Sequence, residues 1–481
     1  WDQHRFPFGD PCLESRYELI SRANLDVLAD LHNHDAFGSE VAMETEDLDD
    51  GFKLRRWVLR DVPALSYEAH ATHYRSYLPW LDVSTVPAWR TIATWYADIA
   101  DGQAEATRVV REKARELCQE AATDDEKIER IYRFVSQDIS YASVPFYMSA
   151  HVPRKAEEVL ESRYGDCKDK SCLMIAMLAA VGIDDARFAL IDSWGARAVA
   201  MLPSPRFNHA IVCRPDGAGG HRWYDPTIKY GTSRQIPGSL IGGLALIADA
   251  GAEHLVTIVG EPAAAHPSRV TSEVVVRADG SASVRRRSED TDLDGTAGLR
   301  AGLENLTPDE LREGVLESIA VNFPGAVLDT LAVSGRADVD SALVYTYEFD
   351  TPQLFRESGA FLVGRVPWAS RLSGELSRVV ARAERQSPVD LHRLRACEVE
   401  TLTVVLPGDV TVMELPAAQD LRFGDCRYTT SYEQDGDRLV VSSEIVFDGD
   451  RVLPDDYAGF KSFLEAVLQD QDAPLLLRRQ G

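Results

Sequence analysis

Apolar and polar positions along this chain change rhythm several times. Phe52–Asp61 alternates with a period of two, as a half-buried strand does, and the residues before it read as further β-structure. The rhythm then turns helical. Trp89, Ile92, Ala93 and Tyr96 share one face, and Val110, Ala114, Leu117 and Cys118 share another. A third helix is expected to open at a capping box, Thr123 to Glu126, with Ile128, Ile131, Tyr132, Val135 and Ile139 on one side. Ala156, Val159 and Leu160 predict a short helix. The next one differs in kind: Cys172–Val181 contains no charged residue, so it must be buried on most of its faces. Gly165 and Asp166 supply its turn and N-cap, and Gly182 its stop.

Strand patterns return at Ala186–Asp192, Phe207–Cys213 and Arg222–Asp225, the last two separated by the turn formers of Arg214–Gly220. From Val256 onward strands dominate. Val270–Val276 and Ser281–Arg287 flank an A-D-G turn, and Leu343–Phe349, Glu400–Leu406, Val410–Met413, Tyr428–Glu433 and Leu439–Phe447 follow. Helices are expected from Pro308, capped by Thr307 with Glu310, and over Asp455–Leu468. The pattern predicts an α+β chain in three parts. Residues 1–83 form a partial β-rich module, 84–255 a mixed core, and 256–481 a β-sandwich-like domain with inserted helices.

Composition narrows the picture. A chain of 481 residues with 45% hydrophobic content can bury ordinary cores. A net charge of −26 argues against nucleic acid and anionic membranes as partners. No apolar run reaches the roughly 18–20 residues of a membrane span, so no integral membrane segment is expected in this chain. Seven cysteines, an odd number without C-x-x-C spacing, suggest neither a disulfide framework nor a structural zinc site. In L-H-N-H-D (31–35), His32 and His34 have no further ligand cluster nearby. The run reads as a solvated loop or cap, and no metal or cofactor is expected. The chain opens at Trp1 in what reads as the middle of a β module, so the true N-terminus is expected to be missing and the absence of a signal peptide carries no information.

Candidate chemistry gathers at Cys167. A thiol in the first turn of a helix is favoured as thiolate by the positive end of the helix dipole. His209 and Asp225 are equidistant from Gly217, so a symmetric hairpin would oppose them directly, with Cβ atoms about 4.5–5.5 Å apart. A carboxylate there orients an imidazole toward a thiol. A register slip of one residue would separate them. Cys172 lies about 140° round the helix from Cys167 and reads as core, as do Cys118 and Cys213. Asp166 and Asp169 oppose a thiolate, and Lys168 and Lys170 are expected to offset them in part.

The motifs G-D-C-K-D-K, N-H-A and Y-D-P-T, in that order, resemble the transglutaminase-like superfamily of papain-like cysteine enzymes. R-W-V-L-R-D-V-P-A-L-S-Y-E at Arg56–Glu68 and the run Val83–Tyr96 are similar to its bacterial branch, where a β-rich module of unknown function precedes the core. The resemblance covers roughly Phe52 to Lys229. It implies a papain-like core at 84–255, with Cys167 as nucleophile, His209 as general base and acid, and Asp225 as the residue orienting it. It further implies acyl transfer through a thioester, with a protein or peptide substrate and, for a transferase, an amine acceptor. Protease, amidase or deamidase chemistry on the same core is the alternative, and a catalytically idle scaffold the rival from another class. The Cys167 N–H would hold the oxyanion together with a second donor, for which Tyr164 and Tyr141 are candidates. An extracytoplasmic location is implied by the resemblance alone.

Overall fold

The alternation at the start of the chain becomes six strands: β1 (Asp2–Arg5), β2 (Cys12–Arg22), β3 (Leu28–His32), β4 (Val41–Leu48), β5 (Phe52–Val62) and β6 (Trp80–Ser84). They belong to a computed structural model that describes residues 1–38, 40–143, 151–193, 201–369 and 373–480. The strands form two antiparallel sheets, ordered β1-β6-β3 and β2-β5-β4. Trp57, Leu59, Leu81 and Val83 share one apolar core, while Arg56 on β5 pairs with Glu18 and Glu44 on the neighbouring strands. The L-H-N-H-D run is a solvated turn only at His34 and Asp35, and Leu31–Asn33 are half-buried. His32 stacks on Trp80 at 4.0 Å, and Asn33, at a left-handed φ of 50°, donates side-chain hydrogen bonds to the carbonyls of Arg75 and Leu78. Among the described residues, no group of three or more His, Cys, Asp or Glu side chains is placed to hold a metal ion.

Five helices follow: α1 (Trp89–Asp101), α2 (Arg108–Leu117), α3 (Asp124–Arg133), α4 (Ala156–Ser162) and α5 (Cys167–Ala180). The expected capping box opens α3, with Thr123 and Glu126 satisfying each other's backbone N–H groups. The helix stops earlier than its apolar pattern suggests, because Phe134–Asp138 widens into a π-helical turn. Lys170, 1% exposed, reaches that region from α5 and donates Nζ hydrogen bonds to the Ser136 and Ile139 carbonyls. A short parallel pair, β7 (Ser140–Tyr141) with β8 (Tyr164–Gly165), links this turn to the start of α5.

The apolar helix is enclosed as its composition requires. α5 packs against α2, α3 and α4 and against two strands, β9 (Arg187–Ile191) and β10 (His209–Pro215). Those strands lie within a five-stranded antiparallel sheet with β11 (His221–Tyr224), β12 (Leu244–Ile247) and β13 (Val256–Thr257), ordered β11-β10-β9-β12-β13. Leu173, Met177, Leu190 and Val212 lie in the core between helices and sheet. Ile191, Ile211, Trp223 and Ile258 form a second core.

The chain divides into two compact units, Trp1–Gly260 with Gln386–Pro388, and Glu261–Arg385 with Val389–Gly481. The second contains β14 (Ser268–Val276), β15 (Ala282–Asp290), α6 (Leu293–Leu303), α7 (Pro308–Asn322), β16 (Val327–Ser334), β17 (Leu343–Thr351), β18 (Arg356–Ser358), β19 (Phe361–Arg365), α8 (Ser373–Val380) and β20 (Val389–Asp390). It continues through β21 (Ala396–Val405), β22 (Val410–Glu414), β23 (Gln419–Phe423), β24 (Cys426–Asp435), β25 (Arg438–Phe447), β26 (Arg451–Val452), α9 (Tyr457–Gln471) and β27 (Pro474–Arg479). An eight-stranded sheet, β16-β17-β15-β14-β21-β25-β24-β23, is antiparallel except between β14 and β21. Its Val274, Phe349 and Leu402 share a core with Leu362, Leu475 and Leu477 of the four-stranded sheet β18-β19-β27-β22. β20 and β26 form a separate pair. Thr307 and Glu310 form the expected capping box on α7. α9 begins after a short 3-10 turn at Pro454–Asp456, slightly later than the sequence pattern places it.

Gly165 tests the turn that starts α5. A Cβ there would lie 2.6 Å from the Asp169 Cβ, with no flexible chain end to yield. Gly165→Ala is expected to cost about 1–3 kcal/mol by overpacking, read as a lower unfolding midpoint, and to slow alkylation of Cys167. A variant that melts and reacts like the parent contradicts this packing.

Candidate active site

Cys167, His209 and Asp225 come from three separate elements. Cys167 is the first residue of α5, His209 the first of β10, and Asp225 directly follows β11. Asp166 caps the helix by accepting the Asp169 N–H at 3.2 Å, and Asp169 returns the bond to the Asp166 N–H at 3.3 Å. That reciprocal cap leaves the Cys167 N–H, a first-turn donor, without an intrahelical acceptor. One turn further on, Ser171 Oγ donates to the Ala210 carbonyl at 3.1 Å, which fixes the start of α5 against the residue after His209.

The imidazole lies between thiol and carboxylate. His209 Nε2 is 2.8 Å from Asp225 Oδ2, and the Cys167 side chain interacts with the ring and lines the same cleft. Asp225, 3% exposed, uses Oδ1 to accept from the Thr227 N–H at 3.0 Å and hydroxyl at 2.6 Å. The Tyr132 hydroxyl of α3 donates to the Asp225 backbone carbonyl at 2.8 Å. A Cβ on Gly231 would sit 2.3 Å from that hydroxyl, so glycine keeps the approach open.

The hairpin register corrects one expectation. Pairing runs from Val212↔Tyr224 to Pro215↔His221, so the turn centres on Ala218 rather than Gly217 and His209 does not face Asp225 directly. The cause is a five-residue turn closed by Asp216, whose carboxylate accepts the N–H groups of Ala218 and Gly220. Because the offset is two positions, both side chains stay on one face as diagonal neighbours.

Charges around the thiol are compensated pairwise. Asp166 is ion-paired with Lys168, and Asp169 with Arg154, whose Nε lies 3.1 Å away. Lys170 does not offset either carboxylate. It serves the π-helical turn, and burial pushes its ammonium down to about 8. Burial opposes charge on His209, but the hydrogen bonds to Asp225 and Cys167 prevail and lift it to about 10. Burial likewise opposes charge on Asp225, yet His209 and Thr227 hold its carboxyl below the usual range. Cys172 has no exposed surface, and burial drives its thiol well above the ordinary range.

Cys167 and His209 open into a cleft of about 180 Å³ lined by Trp95, Tyr96, Tyr141, Phe207 and Asn208. Of the two tyrosines considered as oxyanion donors, Tyr141 lines this cleft. Tyr164 lies under the Arg154 guanidinium, 4.5 Å from the ring centroid, and is not among the lining residues. Sequence reasoning missed Tyr132, Arg154 and Thr227. Only Thr227 left a local signal, since Asp-Pro-Thr is a side-chain-capped turn pattern.

Residues 111–225 match the family model of the transglutaminase-like superfamily, and this segment is similar to the core of that superfamily. Residues 370–477 match a domain of unknown function, DUF3858. The fold is similar to a solved structure from Parabacteroides distasonis described as a "putative protease", with a TM-score of 0.62 and 14% identity over 99% of this chain and 74% of that one. No curated protein matches the chain.

The raised His209 value carries a sign. Its stabilising contribution is complete below about 6.5 and is lost as pH rises through about 10. That of Asp225 is present above the usual carboxylate range and is lost as pH falls through its lowered value. Followed by NMR, the His209 ring is expected to titrate near pH 10, and Asp225→Asn to bring the midpoint down toward 6.5. A midpoint that the substitution leaves unmoved contradicts the assigned cause.

Proposed function

We propose that this transglutaminase-like core works as a cysteine acyl-transfer enzyme, acting through a thioester on a glutamine side chain or a peptide amide. The observation that carries the reading is that Cys167 and His209 share one cleft, with His209 hydrogen-bonded to the buried Asp225. In this reading the Cys167 sulfur attacks the amide carbonyl and forms the C–S bond. The oxyanion is held by the Cys167 N–H and by the hydroxyl of Tyr141, which burial and nearby negative groups keep protonated. His209, charged at neutral pH, gives its proton to the departing nitrogen as the C–N bond breaks. The neutral imidazole then takes a proton from the incoming amine or water as the thioester C–S bond breaks, so His209 is charged again and the sulfur is returned beside it. Asp225 holds the ring in the tautomer and orientation both steps need.

Two acceptors suit the acyl-enzyme. An amine gives an isopeptide or transamidated product, and water gives deamidation or proteolysis. The name of the Parabacteroides distasonis relative favours water. Product analysis on a glutamine-containing peptide, with and without an added primary amine, separates these outcomes.

The chemistry common to both has a direct test. Iodoacetamide at pH 7 is expected to label Cys167 far faster than the other six cysteines, with the fast phase absent in Cys167→Ala and slowed in His209→Ala. Labelling of Cys167 at the rate of an ordinary free thiol sinks the reading in favour of an idle scaffold. Tyr141→Phe is expected to lower kcat by on the order of 10²-fold with little change in that labelling rate. An unchanged kcat removes Tyr141 from the oxyanion site.

A further inference from the structure

The cleft wall beside His209 is held in place by the N-terminal sheets. Pro205, Phe207 and Asn208 line the cleft and belong to the connection between β9 and β10. Where this connection leaves β9, Asp192 accepts a hydrogen bond from Arg75 Nη1 at 2.6 Å, and Arg75 Nη2 donates to Gln3 Oε1 of β1 at 2.7 Å. Where it approaches β10, Asp82 of β6, with no exposed surface, accepts from the Leu202 N–H at 2.8 Å and from Arg206 Nη2 at 3.0 Å. Ser84 donates its hydroxyl to the Pro203 carbonyl. The two ends are joined by Asn208, whose side-chain oxygen accepts from the Ser193 N–H at 2.8 Å and hydroxyl at 3.1 Å.

These bonds have no counterpart in the chemistry of Cys167, His209 and Asp225, and they converge on the segment that leads into His209. A buried carboxylate serving the Leu202 N–H, three residues before Pro205, and the guanidinium of Arg206, between Pro205 and Phe207, fixes that wall more tightly than apolar packing alone. Recognition of the chain flanking the scissile amide depends on where Phe207 and Asn208 stand, whereas attack by sulfur on a small electrophile does not.

We infer that Arg75, Asp82 and Ser84 are positioning residues through which the N-terminal sheets set the substrate-binding wall of the cleft, making these sheets part of the recognition of a peptide substrate. The inference rests on the thioester reading above. It is tested on the full chain by comparing two reagents at Cys167: iodoacetamide, which needs only the thiol and imidazole, and a dipeptidyl chloromethyl ketone, which must also lie along the wall. Asp82→Asn is expected to leave the iodoacetamide rate within about twofold and to lower the peptidyl rate by tenfold or more, with Asp82→Glu recovering part of the loss. A purely structural defect would instead lower both rates together with the unfolding temperature. If Asp82→Asn does not fold, Ser84→Ala is read in the same way, with a smaller loss confined to the peptidyl reagent. A ratio of the two rates equal to that of the parent in folded variants overturns the inference. A parent protein in which neither reagent selects Cys167 overturns the thioester reading, and the inference with it.

Discussion

A helix with no polar side constrains the rest of the first unit. From Lys168 to Met174 every residue of α5 is buried, so the helix must be covered by α2, α3 and α4 on one side and by β9 and β10 on the other. Enclosure leaves only the ends of such a helix within reach of solvent or substrate. Its N-terminus, where backbone N–H groups lack partners, therefore arrives at the mouth of the cleft with Cys167 as its first residue. The Ser171–Ala210 hydrogen bond then sets the depth of the helix against the strand that carries His209. Placement of thiol against imidazole thus follows from burial and one polar contact.

The same enclosure makes every charge near the site dependent on a partner. Asp166 with Lys168, Asp169 with Arg154, and His209 with Asp225 are compensated pairs in a region where an unpaired charge would be costly. Lys170 is the exception, satisfied by two carbonyls of the π-helical turn and pushed down by burial. The pairing also carries function in the proposed scheme. Neutralised flanking carboxylates keep unpaired negative charge away from the helix end, while Asp225 keeps the imidazole charged above its usual range.

The legible part of this architecture is the part written in local periodicity and capping. The apolar run after Cys172, the box at Thr123–Glu126 and the order of helices before strands are properties of short windows, and they predicted an α+β core with Cys167, His209 and Asp225 near one another. The register of β10 on β11 was missed by two positions, because the Asp216 side chain closes a shorter turn, 216–220, than the Arg214–Gly220 run of turn formers suggested. The roles of Arg154 and Tyr132 were not legible, since each partner lies fifteen or more residues away along the chain. Lys168 and Lys170 look alike in sequence and differ only in which way the helix turns them, one toward Asp166 and one toward the Ser136 carbonyl.

The central claim is that the sulfur of Cys167 carries the acyl group. Its most direct test is rapid acid quenching during turnover of a glutamine-containing peptide, followed by intact-mass and fragment analysis of the protein. The account predicts a substrate-derived acyl adduct on Cys167, absent from Cys167→Ala and discharged by water or an amine on further incubation. Turnover without any adduct, or an adduct on another residue, would contradict it.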